Sequence, residues 1–132
     1  MWIKKGSKVT KKFRTTDEAF SRLIRFRTAE GKGYCKCITC GAVLPPEDMD
    51  AGHYISRGVM PLRYDERNVH PQCRTCNRFR EGMKDEYALA LIKLYGPDIL
   101  EELKKEKESF KIYTDLELKE MRKEYRKLIK EL

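Results

Sequence analysis

Cys37-Ile-Thr-Cys40 is matched later by Cys73-Arg-Thr-Cys76-Asn77, and between the two pairs stand Asp50-Ala-Gly-His53-Tyr54 and Asn68-Val-His70. A C-x-x-C turn offers two thiolates from one tight bend, and two such turns fill the tetrahedral shell of a structural zinc ion. Cys37, Cys40, Cys73 and Cys76 are therefore predicted as zinc ligands. Gly41 directly follows the first pair, which suits a turn with one residue at positive φ. Cys35 is the spare thiol; it competes as a ligand less well than Cys37, whose spacing to Cys40 is that of a knuckle. A simple zinc ribbon has about 15–20 residues between its pairs, whereas 32 residues run from Gly41 to Gln72 here. Both histidines of the chain lie in that insertion, so the pairs read as a clamp on the ends of a segment with a second task.

The 132 residues suffice for one domain with helical extensions, and a loop-rich centre of this size calls for a staple such as a metal. No apolar run is long enough to span a membrane, and the N-terminus is too basic for a signal peptide. Five cysteines in two tight pairs and a spare also argue against a secreted disulfide framework. A cytosolic location is the expectation. The net charge of +8 is concentrated: residues 1–36 hold 11 Lys/Arg against 3 Asp/Glu, while residues 37–132 hold 18 of each. A localised basic segment is the electrostatic footprint of a polyanion, with a solubilising tail as the plainer alternative.

Three regions are expected. Residues 1–15 read as a basic arm carrying Lys4, Lys5, Lys8, Lys11, Lys12 and Arg14. Residues 16–96 form the central domain, opened by a helix that Thr15 or Thr16 caps before Asp17-Glu18 and that Gly31-Lys-Gly33 stops. Arg22 and Arg25 on that helix and Lys32 at its stop either face phosphates or form a solvated basic face. A short strand from Met49 to Ser56 that runs through His53, a helix that starts within residues 74–82 and ends near Gly82, and a helix from about Asp85 to Tyr95 follow, the last with Tyr87, Leu91, Leu94 and Tyr95 inward. Residues 97–132 hold two helices, joined by a mixed-charge run at 104–108 that reads as solvated. In the second, Leu118, Met121, Tyr125, Leu128 and Leu132 form a short heptad seam. The seam packs on its own domain or serves a homodimer.

Asp50, His53 and Asn77 supply a carboxylate, an imidazole and an amide oxygen. A neutral imidazole takes a proton from water near neutral pH, and a magnesium ion takes one or two such oxygens and stabilises a leaving oxygen. Asn77 directly follows Cys76, so the second knuckle would fix its position. Spacing alone leaves open a purely structural histidine.

The run Cys37-Ile-Thr-Cys40, Asp50-Ala-Gly-His-Tyr54, Leu62-Arg-Tyr-Asp-Glu-Arg-Asn-Val-His70 and Gln72-Cys-Arg-Thr-Cys-Asn77 resembles the NinG (Rap) family of phage recombination proteins. The likeness is densest over residues 34–95. That family resembles the HNH, or ββα-metal (His-Me finger), endonucleases and is similar to endonuclease VII-type junction resolvases. The resemblance implies an α+β fold: a zinc-stapled ββα-metal, HNH-like core with flanking N- and C-terminal helices. It implies a magnesium-dependent hydrolase, with manganese as substitute, that cleaves branched DNA such as Holliday junctions and D-loops in the host cytoplasm. His53 would be the general base, and Asp50 and Asn77 would hold the magnesium. Asn68 would orient the catalytic loop, or cap the turn before the second knuckle. His70 is structural, phosphate-contacting or catalytic, and Glu81 is a candidate accessory acid. Two departures are visible: Asn77 stands where many HNH sites have a metal-binding histidine, and Gly52 where many have an acid.

Arg57, Arg63, Arg67, Arg74, Arg78, Arg80 and Lys84 cluster around this site in sequence, and with Lys11 and Lys12 of the arm they are the expected phosphate contacts. No base-reading module is visible, so shape would be recognised. A four-way junction has two-fold symmetry, which a homodimer would match. The competing readings are a non-cleaving, zinc-stabilised DNA-binding recombination accessory and a zinc-dependent protein-interaction module.

Overall fold

The computed structural model describes residues 8–132. Helix α1 (Lys8–Ala29) leads to a short antiparallel pair, β1 (Cys35–Lys36) with β2 (Val43–Leu44). A second antiparallel hairpin follows, β3 (Met49–His53) with β4 (Val69–Cys73), closed by a long loop. A π-helical turn (Thr75–Phe79), α2 (Lys84–Tyr95), α3 (Ile99–Lys107) and α4 (Asp115–Lys130) complete the α+β chain. Among the described residues, no helix is long and apolar enough to cross a membrane.

Helix α1 starts earlier than Thr15 or Thr16, so residues 8–15 are helical and not an extended arm; Lys4 and Lys5 lie outside the described residues. The cause is tertiary. Phe13 is buried against Tyr113 at a ring distance of 6.1 Å and continues the apolar stripe of Phe20, Leu23 and Ile24 by whole helical turns. Thr16 is mid-helix and buried, and its hydroxyl donates to the Leu118 carbonyl at 3.2 Å.

Helix α4 lies on α1. Thr114 caps it by accepting from the Glu117 amide. Leu118 is buried, and Met121 and Tyr125 pack on the cluster of Phe13, Phe20, Ile24, Tyr64, Val69 and Tyr113. The first three positions of the heptad seam thus serve the chain's own core. A second cluster joins α2 and α3 to the hairpin loop through Leu62, Tyr87, Leu91, Ile99 and Leu103. Leu94 and Tyr95 do not share it: both are exposed, because α2 is covered on one narrow face only.

In the hairpin register Asp50 faces Gln72, Gly52 faces His70 and His53 faces Val69. Gly52 is dictated by space. A Cβ there would stand 2.1 Å from Gln72 Oε1 and 2.9 Å from Gln72 Cβ. Gln72 is fully buried and cannot swing away, since its amide nitrogen donates to the Gly82 carbonyl at 2.7 Å and to Thr39 Oγ1 at 3.1 Å. Substitution Gly52→Ala is expected to lower unfolding free energy by about 1–3 kcal/mol through overpacking, measured by thermal or urea unfolding of the zinc-loaded chain. An unchanged midpoint would show that Gln72 repacks at no cost.

Candidate metal centre and adjoining groove

The four predicted thiols converge. The Sγ atoms of Cys37, Cys40, Cys73 and Cys76 all lie within 4.8 Å of one another, and Cys35 is outside the set. Cys40 Sγ and Cys73 Sγ are 3.7 Å apart, and a tetrahedron with Zn–S of about 2.3 Å has edges of about 3.8 Å. Each turn also donates a backbone amide to its first sulfur, Cys40 N to Cys37 Sγ at 3.5 Å and Cys76 N to Cys73 Sγ at 3.4 Å. Gly41 has φ +79° and closes the first turn by donating to the Cys37 carbonyl. Burial opposes ionisation of Cys37, but a hydrogen bond with the Thr39 hydroxyl and backbone amides outweighs it and brings the thiol down to about 6. This donor set fits a structural zinc ion. Cys35 is buried beside Ala29 and Met49, and burial raises its pKa.

Next to the cluster a groove of about 1040 Å³ is bordered by α1 (Asp17, Phe20, Ser21, Arg25), β3 and the segment after β4 (Arg74, Asn77, Arg78, Glu81, Gly82, Lys84). Met49, Asp50 and Ala51 are consecutive and all border it, which places it along the unpaired edge of β3. His53, Ser56 and Arg57 line it as well.

His53 is held in one tautomer. Its Nε2 is 2.9 Å from the Arg63 carbonyl oxygen, which can only accept, so Nε2 carries the hydrogen and Nδ1 is the ring's acceptor. Burial is the main cause that lowers its pKa to about 4, against the carbonyl hydrogen bond, so the ring is neutral at ordinary pH. Asp50 and Asn77 meet across the hairpin, the Asn77 amide nitrogen donating to Asp50 Oδ2 at 3.0 Å. Arg78 grips the same carboxylate with two bonds of 2.8 Å, and Arg74 Nε stands 3.9 Å away.

Asn68 is fully buried and holds the loop that follows His53. Its Oδ1 accepts from the Ile55 amide at 2.8 Å, and its Nδ2 donates to the carbonyls of Ile55 at 2.9 Å and Leu62 at 3.2 Å. His70 takes no part in the groove. Tyr87 gives its one hydroxyl hydrogen to the Gly52 carbonyl at 2.6 Å, so His70 Nδ1 donates to Tyr87 and His70 Nε2 accepts from Tyr95 at 2.7 Å. It is a structural link from β4 to α2.

The expected phosphate contacts divide. Arg57, Arg74, Arg78 and Lys84 line the groove. Arg63 does not: it is 1 % exposed, with Nε donating to Asp17 Oδ1 at 3.0 Å, Nη1 donating to the Arg57 carbonyl at 3.0 Å, and its guanidinium 4.3 Å over the Phe13 ring. Arg67 is also excluded, because Asp65, Glu102 and Glu106 surround it with salt bridges of 3.0, 3.2 and 2.7 Å. Glu106 therefore does not belong to a simply solvated run. Arg80, Lys11 and Lys12 do not border the groove, and Lys12 approaches Asp115 at 4.0 Å. Arg25 does border it, fixed by donation to the Pro46 carbonyl at 2.7 Å. Its place was visible in sequence only as one of several basic positions on α1. Asp17 was missed altogether. It ties Arg63 and accepts from the Tyr64 hydroxyl at 2.7 Å, and its sequence signal was only that of a first-turn acid.

A family model described as the bacteriophage lambda NinG protein matches residues 3–132. The protein ninG of Salmonella phage P22 is 36% identical over 97 residues, and that of Escherichia phage lambda 35% over the same length. In both cases the match covers 73% of this chain and 47% of the relative, so the chain spans about half the length of the curated relatives it matches. No solved structure matches the chain.

The centre is expected to bind one zinc ion per chain, and Cys73→Ser to abolish it, by elemental analysis after exhaustive dialysis. Stoichiometric zinc in Cys73→Ser would remove that thiol from the shell. Substitution Asp17→Asn should destabilise the fold by about 3 kcal/mol or more, because it leaves the buried Arg63 charge uncompensated. Urea unfolding reads this directly; a loss below about 1 kcal/mol would mean that Arg63 finds water or another partner.

Proposed function

The chain belongs to the bacteriophage lambda NinG family, and from its groove we propose that it is a metal-dependent DNA endonuclease acting on branched recombination intermediates. The observation that carries the proposal is His53. A neutral imidazole with its Nε2 hydrogen committed to a carbonyl has only Nδ1 left to take a proton, which is the requirement for a general base. The antiparallel hairpin and the helical turn that hold His53, Asp50 and Asn77 are the parts a ββα-metal core needs.

Asp50 and Asn77 would hold a magnesium ion, which supplies charge stabilisation at the phosphate and the leaving oxygen. The residue types fit: the Asp50 carboxylate and the Asn77 side-chain amide are in direct contact at 3.0 Å, and both carry the oxygen donors that magnesium takes. Within the chain, His53 Nδ1 accepts the proton of the attacking water. Asn68 keeps the following loop closed, so the Arg63 carbonyl stays on Nε2. Arg57, Arg74 and Lys84 neutralise the backbone phosphates along the groove. Lys84 is anchored for this by donation to the His53 carbonyl at 2.6 Å.

One observation favours the non-cleaving reading: Arg78 already engages both oxygens of Asp50, as a cation would. A DNA-binding accessory would keep that pair intact. Two copies on a four-way junction remain part of the proposal on grounds of substrate symmetry, and not through the seam that α4 uses within the chain.

Labelled Holliday junction, D-loop and linear duplex, incubated side by side with magnesium and with EDTA, test the reading. Magnesium-dependent cleavage of the branched substrates is expected, with His53→Ala at least about 100-fold slower while still binding. Binding without cleavage by the native chain would leave the accessory reading. The base works in its neutral form, so the rate should fall only as pH drops through about 4 and not through the usual 6.5. An acid limb centred at 6.5 would mean that the ring is not held as described.

A further inference from the structure

Phe79 is 80 % exposed. It stands between residues that border the groove on both sides, Asn77 and Arg78 before it and Glu81, Gly82 and Lys84 after it, yet it does not line the groove. The ring is thus open to solvent within a segment whose neighbouring residues border the groove. A single exposed apolar side chain is ordinary; the backbone beneath this one is not. Residues 75–79 form a single π-helical turn, a feature that costs regular hydrogen bonding and concentrates at functional sites. Glu81, Gly82 and Met83 follow with φ of +53°, +81° and +50°, so three consecutive residues, two of them not glycine, sit in the left-handed region.

This strained segment is tied down. The Gly82 amide donates to the Cys76 carbonyl at 2.8 Å, the Met83 amide to the Arg80 carbonyl at 3.0 Å, and buried Gln72 donates to the Gly82 carbonyl at 2.7 Å. Cys76 belongs to the thiol cluster. Phe79 is thus displayed on a rigid platform, which spares ordering entropy when it meets a partner. Its neighbours specify the partner's charge. Arg78 and Arg80 flank it in sequence, and Arg74, Arg57 and Lys84 lie along the adjoining groove. An exposed aromatic ring next to a groove lined by guanidinium groups suits a nucleobase whose phosphates those groups hold. In an intact duplex every base face is covered. At a branch point the stack is interrupted and a face is available, and apolar side chains of other DNA-binding proteins insert between base steps even where they must first unstack them.

We infer that Phe79 is a stacking platform for an unstacked base at the branch of the DNA substrate, and so a determinant of branch selectivity beside the His53–Asp50 groove. The inference rests on the DNA-cleaving reading of that groove for its substrate, but stacking is readable without cleavage. The native chain, Phe79→Ala and Phe79→Trp are compared for binding to a four-way junction and to linear duplex in EDTA, over a range of salt. 2-Aminopurine at the branch reports stacking by its quenching, and cleavage is then measured with magnesium.

Phe79→Ala is expected to weaken junction binding on the order of tenfold, to leave duplex binding and the salt slope unchanged because no charge is lost, and to abolish the added quenching. Phe79→Trp should restore both. If the native chain binds and quenches in this way but never cleaves, the nuclease reading fails and the inference stands. Cleavage by the native chain with junction preference and quenching unaltered in Phe79→Ala would overturn the inference and leave the nuclease reading intact. Absence of any junction binding would overturn both.

Discussion

The buried charge of Arg63 is the constraint on which the arrangement depends. A guanidinium away from water is costly unless every donor finds a partner, and Arg63 collects them from distant parts of the chain. Asp17 comes from α1, the Arg57 carbonyl from the loop between β3 and β4, and the Phe13 ring covers the guanidinium face. Tyr64 donates its hydroxyl to the same Asp17 and packs edge-on to Phe20 at 5.4 Å. Helix α1 cannot leave the hairpin loop without exposing an uncompensated charge. The backbone of this same residue takes the hydrogen of His53 Nε2. The position and tautomer of the groove's histidine are therefore set by an ion pair between a helix and a loop 46 residues apart.

The thiol cluster does the equivalent work at the other end of the hairpin. Cys37 and Cys40 precede β3, Cys73 ends β4 and Cys76 lies in the π-helical turn, so four sulfurs drawn together fix where the chain goes after the hairpin. Asn77 is the next residue and meets Asp50 at the start of β3. Gln72 locks the intervening space from within, between Thr39 beside the first cysteine pair and Gly82 beyond the second. Helix α1 and the thiol cluster thus hold the hairpin from two sides, and the groove is the space left along its free edge.

What was legible in the sequence is what local chemistry specifies. The two cysteine turns, the positive φ of Gly41, the strand through His53 and the extent of α2 each depend on residues a few positions apart. What was not legible depends on partners far along the chain. Arg63 and Arg67 look like surface arginines until Asp17 reaches the first and the acids of α3 reach the second. Thr16 looks like a cap until Phe13, buried by Tyr113, brings the preceding turns into the helix. Gly52 looks like a departure from a nuclease pattern until Gln72 is seen to fill the place of its side chain. Leu94 and Tyr95 continue the apolar pattern of α2, but the core beneath that helix is too narrow to take them, and Tyr95 instead presents its hydroxyl to His70.

The charges of the groove bear on how such a site would be loaded. Asp50 is shared by Arg78, Arg74 and Asn77, so its carboxylate is already compensated. A bare cation would have to displace a two-point guanidinium bond, and a phosphate alone would have to draw Arg78 from a carboxylate and leave that charge unpaired. Arriving together, the two would relieve each other, the Arg78 guanidinium turning to the phosphate and leaving Asp50 free to hold the cation. Each ligand would then raise the affinity for the other by the same factor, as linkage requires. In the proposed nuclease this pairing would tie the metal site to a DNA backbone in the groove, with Arg78 as the link between them.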